Sequence, residues 1–291
     1  ASGGYFNQKS VVIGSEFKRF SGIVNLRHKA SEKLTVGVNL TGSFSKQLSP
    51  FANGSFRNPV LAGFFLRPSQ NAYNADGSLN FSLSTFNQVY NPQAVIEYDR
   101  ENLNTIKTLS TFTGEYNLLK NLKFTTKFGL DYLIIEEETY RNPFFGDSRT
   151  LGGQVSNFTT RVGNWIWTNT LDYHHDLLRK DLGIDVKIGY EAQKSKQYNV
   201  SATGNGLPQT TVLTLPAPST PVTATGARTD FSFESLFSVV QANFKNRYSL
   251  SGSLRRDGSS RFGINNRYGV FWSVGGAWNI DQEAFMKGIK F

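Results

Sequence analysis

The sequence predicts an all-β protein: an antiparallel, up-and-down sheet of about nine strands, a segment of a transmembrane β-barrel with its long loops on the extracellular side. Three observations predict it. Apolar and polar residues alternate with period two through most of the chain, as in Tyr248, Leu250, Gly252 and Leu254 against Ser249, Ser251, Ser253 and Arg255. The connections between alternating runs are short, then long, then short again. The composition favours sheet over helix, with 24 Phe, 12 Tyr and 27 Gly against a single Met in 291 residues.

The first strand, about Phe20 to Lys29, alternates imperfectly: Gly22, Val24 and Leu26 share one side, Ile23, Asn25 and Arg27 the other. Ala30-Ser31-Glu32-Lys33 turns the chain. The second strand is clean, with Leu34, Val36, Val38, Leu40 and Phe44 opposite Thr35, Asn39, Thr41, Ser43 and Ser45. From about Gln47 to Asn104 the chain is irregular and punctuated by Pro50, Pro59, Pro68 and Pro92. It is also aromatic, with Phe51, Phe56, Phe64, Phe65, Tyr73, Phe81, Phe86 and Tyr90. Disordered linkers are poor in aromatics, so an ordered loop is expected, with a short helix near Pro59 to Leu66.

The third strand, about Thr105 to Leu118, keeps Ile106, Phe112, Tyr116 and Leu118 in phase and turns at Leu119-Lys120-Asn121. The fourth sets Leu122, Phe124, Phe128, Leu130, Tyr132 and Ile134 against Lys123, Thr125, Lys127 and Asp131, and leads into a loop from Glu136 to Asn157. The fifth, about Phe158 to Tyr173, carries Trp165, Trp167, Leu171 and Tyr173 on one face. The sixth sets Leu182, Ile184, Val186, Ile188 and Tyr190 against Asp185, Lys187 and Glu191. A long loop rich in Thr, Pro and Gly, about Ala192 to Asp230, precedes the seventh strand, Phe231 to Phe244. Its phase is ambiguous, because Phe237 and Val239 compete with Leu236 and Val240. The eighth strand begins at Tyr248 and the ninth ends at Trp278. Ile280 to Lys287 reads as a short helical turn.

Alternating loop length puts every tight turn at one end of the sheet, as in outer-membrane barrels, whereas sandwiches use Greek-key crossings and shorter strands. Runs of roughly 9–13 residues suit a tilted crossing of the bilayer core. An odd strand count cannot close a bacterial single-chain barrel, and open edges in lipid leave backbone groups unsatisfied. A segment of a longer barrel is therefore expected, and Gly288-Ile289-Lys290-Phe291 reads as the start of a further strand. Ala1-Ser2-Gly3-Gly4 has neither a basic start nor an apolar region, so the chain begins as a mature protein or an internal piece does. No apolar run approaches the roughly 20 residues of a membrane helix, and mean hydropathy is −0.35. With no Cys, disulfides, thiolate metal sites and Cys nucleophiles are excluded. The net charge of +9 is scattered rather than gathered in basic runs, which argues against nucleic acid as a partner. It suits anionic lipid headgroups, or a lumen for anionic or neutral solutes.

Asp257-Gly258-Ser259-Ser260-Arg261-Phe262-Gly263, with Asn265-Asn266-Arg267-Tyr268-Gly269, Trp278 and Phe285-Met286-Lys287, resembles the SusC/RagA family of TonB-dependent outer-membrane transporters of Bacteroidetes. Gly14 to Phe20 with Asn25 to Lys29 is similar to an earlier barrel hairpin of that family. The sequence departs from it at Phe271-Trp272, where many members carry Phe-Pro. The resemblance implies a barrel of about 22 strands with an N-terminal plug. It also implies a SusD-like surface lipoprotein as a lid, energy from the TonB complex acting on the plug, and a cell outer membrane location. Oligosaccharides or peptides are the implied substrates. Residues 1–291 would then be part of one barrel domain, with plug and remaining strands outside them.

Trp165, Trp167, Trp272 and Trp278 are candidate membrane-interface anchors, or core residues if the sheet is soluble. Phe64, Phe65, Tyr73 and Asn74 are candidate substrate-binding residues, stacking on sugars or the lid; self-packing of the loop is the alternative. Asp257 to Gly263 reads as a hydrogen-bonded turn; no His lies near enough in sequence to make Asp257 or Ser259 part of a hydrolase. His174 and His175 are adjacent, so they point to opposite faces and do not share an ion; a periplasmic turn is expected there. Glu136-Glu137-Glu138 reads as a solvated run in a loop rather than a calcium site. Gly275-Gly276 lacks the Lys and helix of a phosphate cradle. No metal or cofactor is expected. Two function classes remain: a transporter segment, and a soluble or cell-surface carbohydrate-binding or adhesin module. An enzyme is the least supported, since no acid/base pair or metal set converges.

Overall fold

Period-two runs joined by tight polar turns assemble by pairing each strand with its chain neighbour. The computed structural model describes residues 1–49, 58–82, 90–146, 148–178, 181–208, 215 and 220–286. Among them one antiparallel sheet holds ten strands in chain order. These are β1 (Ser2–Lys9), β2 (Glu16–Lys29), β3 (Leu34–Ser49), β4 (Arg100–Leu119) and β5 (Leu122–Arg141). They continue as β6 (Gln154–Leu177), β7 (Leu182–Asn205), β8 (Thr220–Phe244), β9 (Tyr248–Ser259) and β10 (Tyr268–Trp278). Helix α1 (Pro59–Phe65) lies where a helix is expected, and α2 (Pro92–Tyr98) joins it in the same connection. Each begins with Asn then Pro: the Asn58 and Asn91 side chains accept backbone N–H bonds at the first turn.

The count of ten corrects the expected nine. Strand β1 has no alternation to announce it, only adjacent Tyr5 and Phe6; its place is set by β2, with Tyr5 opposite Phe20 and the rings 4.8 Å apart. Parity therefore no longer argues for a longer barrel. The strand order does, because β1 and β10 are opposite edges of an open sheet. Strand length is the second correction. Strands β6, β7 and β8 have 24, 24 and 25 residues, well beyond a bilayer crossing. Much of the expected loops Glu136–Asn157 and Ala192–Asp230 is strand, leaving 142–153 and 206–219 as connections. Beyond the apolar runs the outward residues turn mixed, with Lys194, Lys196, Asp230 and Arg228 among small and polar ones, which blurs the sequence signal while the ladder continues. The expected helical turn is two short 3-10 turns, Ile280–Gln282 and Ala284–Met286. Pro50, Phe51, Phe56, Phe86 and the expected strand start at 288–291 lie outside the described residues.

Residues paired across a ladder point the same way, so the register defines two faces. One face is apolar: Leu34, Tyr116, Phe124, Leu171 and Ile188 follow one another through consecutive pairings, and the row continues through Ser238 to Leu254 and Trp272. The ambiguous phase of β8 resolves onto this pattern. Leu236 and Val240 pair with Tyr190 and Val186 on the apolar face, while Phe237 and Val239 lie on the polar one. Among the described residues no second layer covers the apolar face: Leu26, Leu250, Leu254 and Trp272 are 62%, 61%, 52% and 75% exposed.

Buried side chains gather instead at the long-loop end. Leu79, Ala94, Val95 and Phe145 form one cluster, and Tyr140, Val155 and Leu207 another. At the other end the connections are tight. Lys245 and Asn246 both take positive φ between β8 and β9, the left-handed pair that matches the twist of a hairpin.

Close packing on the polar face yields a test. A Cβ on Gly189 would lie 2.1 Å from the Phe237 ring, whereas one on Gly22 would meet nothing within 4 Å. Gly189→Val is expected to cost about 1–3 kcal/mol, lowering the temperature at which the folded, heat-modifiable band disappears. Gly22→Ala is expected to leave that temperature unchanged.

Candidate functional site

Two regions offer polar groups to a solute. The first is the platform made by the connections 58–82, 90–99 and 142–153. Asn142, 1% exposed, is its hinge pin: its backbone N–H and Nδ2 both donate to Asp99 Oδ1, at 2.9 and 2.6 Å. Its Oδ1 accepts from the Phe144 and Phe145 N–H groups. Phe145 stacks on Phe81 at 4.9 Å and meets Tyr98 edge-on at 5.9 Å. Asn91 ties in residues 72–80, donating through Nδ2 to the carbonyls of Ala72 and Asn80.

The candidate substrate residues lie on this platform. Phe64 is 81% exposed, and Phe65 and Tyr73 are about half exposed. Asn74 is engaged within its own turn. Its Nδ2 donates to Ser78 Oγ at 2.9 Å, and its backbone pairs with Ser78 across that turn.

The second region is the polar face, whose charges hold one another across strands. Arg255 on β9 donates through Nε to Asp257 Oδ1 at 2.6 Å and through Nη2 to Ser235 Oγ at 2.9 Å. It also pairs with Glu191, which accepts from Thr168 Oγ1 at 3.0 Å. Lys187 meets Asp172 at 3.1 Å, and Arg27 meets Glu115 at 3.3 Å. A hollow of about 630 Å³ near the tight turns is lined by Lys123, Asp172, His174, Asp185, Lys187 and Gln241, among others. This network joins residues on four strands and has no local sequence signal. The nearest clue is the period-two placement of Asp, Glu, Lys and Arg on one side.

Several expectations change here. Asp257, Gly258 and Ser259 are not turn residues but the last three of β9, paired with β10 and β8. The turn begins at Ser260, whose Oγ accepts the Ser232 N–H at 2.9 Å. Arg261 then lies over the Phe231 ring at 4.1 Å, and Phe262 and Gly263 lead into a 3-10 turn at Ile264–Asn266. Gly258 is required by contact, since a Cβ would lie 2.5 Å from the Tyr268 ring. His174 and His175 belong to β6 rather than a turn; His174 meets Asp185 through Nδ1 at 2.7 Å. Glu136, Glu137 and Glu138 are strand residues of β5, so neighbours point to opposite faces.

All four Trp lie on the apolar face. Trp165 and Trp167 sit toward the long-loop end, and Trp167 Nε1 donates to Thr126 Oγ1 at 3.0 Å. Trp272 lies mid-strand opposite Leu254. Trp278 is at the tight-turn end beside Tyr248, the rings 6.4 Å apart. Glu283 fastens this end, accepting from the Tyr248 hydroxyl (2.6 Å), the Trp278 indole (3.1 Å) and Arg247 (3.3 Å).

A single-layer, up-and-down sheet with one bare apolar face, one charged face and all its tight turns at one end is the wall of an outer-membrane-type β-barrel. The chain belongs to the family "TonB dependent receptor-like, beta-barrel", whose model matches residues 14–286. It is 23% identical to TonB-dependent receptor P3 of Formosa agariphila, over 98% of this chain and 29% of that protein. It is 25% identical to TonB-dependent receptor SusC of Bacteroides thetaiotaomicron, over 99% and 30% respectively. The chain thus spans about three-tenths of the length of the curated relatives it matches. Its fold is that of a chain in the solved RagAB peptide transporter, with a TM-score of 0.82 at 22% identity, over 98% of this chain and 32% of that one.

Two tests follow from this geometry. Asn142→Ala removes the Nδ2 bond to Asp99 and leaves the Phe144 and Phe145 N–H groups without their acceptor, a loss of about 1–3 kcal/mol confined to the platform. Hydrogen exchange is expected to quicken at 142–146 and 94–99 while β2–β9 stay protected. Hydrogen bonds from Tyr248 and Trp278 hold the Glu283 carboxyl below its ordinary range, with Arg247 adding to the effect. A depressed folded-state pKa means the clasp is at full strength above the ordinary carboxylate range and fades as pH falls through the depressed value. Trp278 fluorescence, read with the other three Trp replaced by Phe, is expected to be flat down to about pH 4 and to change below it. Glu283→Gln abolishes that transition.

Proposed function

We propose that this chain forms part of the wall of a transporter in the cell outer membrane that imports oligosaccharides or peptides. A SusD-like surface lipoprotein caps the long-loop end. The TonB complex acts from the tight-turn, periplasmic end through a plug outside these 291 residues.

The observation that carries this reading is the bare apolar face. Each large side chain left in water forfeits about 1.5–3 kcal/mol of burial free energy, and Leu26, Leu250, Leu254, Trp272 and Val274 are all more than half exposed. Contact with hydrocarbon removes that cost. A free-standing carbohydrate-binding or adhesin module would need a second layer over the same side chains. Further strands along β1 and β10 complete the barrel, because an open ladder in lipid costs several kcal/mol per unsatisfied group.

Kinship with a receptor named SusC and the likeness to a peptide transporter both support an import role. The peptide transporter's name supports peptides, and the SusC/RagA resemblance implies oligosaccharides as well, so both substrate classes belong to the proposal. Trp165, Trp167 and Trp278 anchor the barrel near the two interfaces, and Trp272 faces the lipid between them. Phe64, Phe65 and Tyr73 offer ring faces to the solute or the lid, with Asn74 shaping the turn beside them. The polar face asks for no covalent chemistry and no cofactor; it offers charged and hydroxyl groups along the path.

The combined variant Phe64→Ala, Phe65→Ala, Tyr73→Ala in the full-length receptor is expected to weaken capture of the co-purifying lipoprotein, or growth on the imported solute, about tenfold. Its heat-modifiable band in the outer-membrane fraction is expected to be unchanged. Full capture and growth in that variant would remove these aromatics from the site.

A further inference from the structure

On the long-loop side of the apolar band, the polarity of the sheet reverses across β6, β7 and β8. Three successive rows on the apolar-face side read Trp165–Lys194–Ser232, Gly163–Lys196–Asp230 and Arg161–Tyr198–Arg228. Four of these nine residues are cations and one is an acid. The rows directly behind them, on the face that carries the Arg255 network below, include Asn164, Ser195, Val162, Gln197, Thr160 and Asn199 and hold no charge. Positive charge meant for a solute in the lumen belongs on the inner face; here it looks outward.

The acids close by are engaged or offset. Asp230 takes Arg228 at 2.8 Å and lies opposite Lys196 across the ladder, so it offsets part of the charge of both. Glu234, one row below, accepts the Tyr268 hydroxyl at 2.6 Å. Glu136 lies across from Thr159, one row above Arg161. Arg161, Lys194 and Lys196 therefore share a patch about 5 Å by 13 Å, from the spacing of neighbouring strands and of alternate residues. Four cations against the single carboxylate of Asp230 leave an excess of positive charge that a further anion would offset. Lys194 follows Tyr190, the last large apolar residue of its run on β7, by four residues. That is about 10 Å of height at a barrel's strand tilt, which reaches the headgroup layer.

We infer that Arg161, Lys194 and Lys196 bind the phosphate of a glycolipid headgroup in the outer leaflet, with Trp165 supporting the lipid from below. Guanidinium and ammonium groups are the usual phosphate partners, and the match is strongest at the edge of a low-dielectric layer. This inference rests on the membrane reading proposed above and adds a bound lipid to it.

The test uses the full-length receptor in nanodiscs of neutral phospholipid, titrated with lipid A and with enzymatically dephosphorylated lipid A. The wild type is expected to prefer the phosphorylated form about tenfold, and Arg161→Gln, Lys194→Gln, Lys196→Gln together to abolish that preference. Lys127→Gln, on the inner face, is expected to leave it intact. Should the combined variant fail to insert, Lys196→Gln alone is expected to lose about threefold. Equal binding of the two lipids by the wild type, a preference that survives the combined variant, or full displacement by millimolar inorganic phosphate would overturn the inference. Protection of these three side chains by the lipoprotein rather than by lipid A would overturn it too. Heat-modifiability in the same samples separates the two readings: a receptor that inserts without phosphate preference defeats only the lipid site, and one that does not insert defeats the membrane reading.

Discussion

The structure depends on the hydrogen-bonded ladder between consecutive strands. Because each strand spends its backbone donors and acceptors on its neighbours in the sheet, neither face has to satisfy them. The two faces are then free to meet different surroundings. Alternation does the rest: one residue steps toward Leu, Val and Trp, the next toward Thr, Asp and Arg. A slip of a single residue would exchange the faces wholesale, so the contacts that fix register matter beyond their own energy. Phe237 lying across Gly189 and Tyr268 lying across Gly258 are two of them. Each ring fills the space above a glycine on the neighbouring strand, a fit that a shifted register would lose.

The division of labour along the strands follows from the same ladder. At the tight-turn end, Tyr248, Trp278 and Glu283 clasp the last hairpin. In the middle the apolar face is bare and the opposite face is cross-linked by ion pairs such as Arg255–Glu191. At the long-loop end the buried clusters finally appear, around Val95, Phe145 and Val155. A hydrophobic core that would ordinarily lie beneath a sheet is displaced to its rim, where it orders the long connections.

How much of this is readable in the residues depends on range. The second strand, Leu34 to Phe44, is a local pattern that the structure has within β3, and the tight turn before it, Ala30 to Lys33, is as read. The short helix at Pro59 is legible from Pro and its apolar neighbours; α2 escapes the same reading although Asn91-Pro92 carries the same cap. Strand β1 has no pattern of its own and exists because β2 offers it an edge. The upper halves of β7 and β8 pass for loop because Lys194, Lys196, Asp230 and Arg228 break the greasy alternation there and Thr, Pro and Gly are frequent beyond them. The Arg255–Glu191 pair spans 64 positions, and only the fold brings it together. Asp257 to Ser259 look like a turn because Asp, Gly and Ser are turn formers, yet the β8 ladder extends through all three and the β10 ladder through Asp257 and Gly258.

Strand β8, at 25 residues, is about 80 Å of extended chain and rises about 60 Å at a barrel's usual tilt. The hydrocarbon layer accounts for less than half of that. The rest stands as a parapet beyond the bilayer, stiffened by the same pairings as the part below. One continuous ladder thereby carries two storeys of a single wall, a greasy lower one and a charged upper one, and the pairing that stiffens the first stiffens the second.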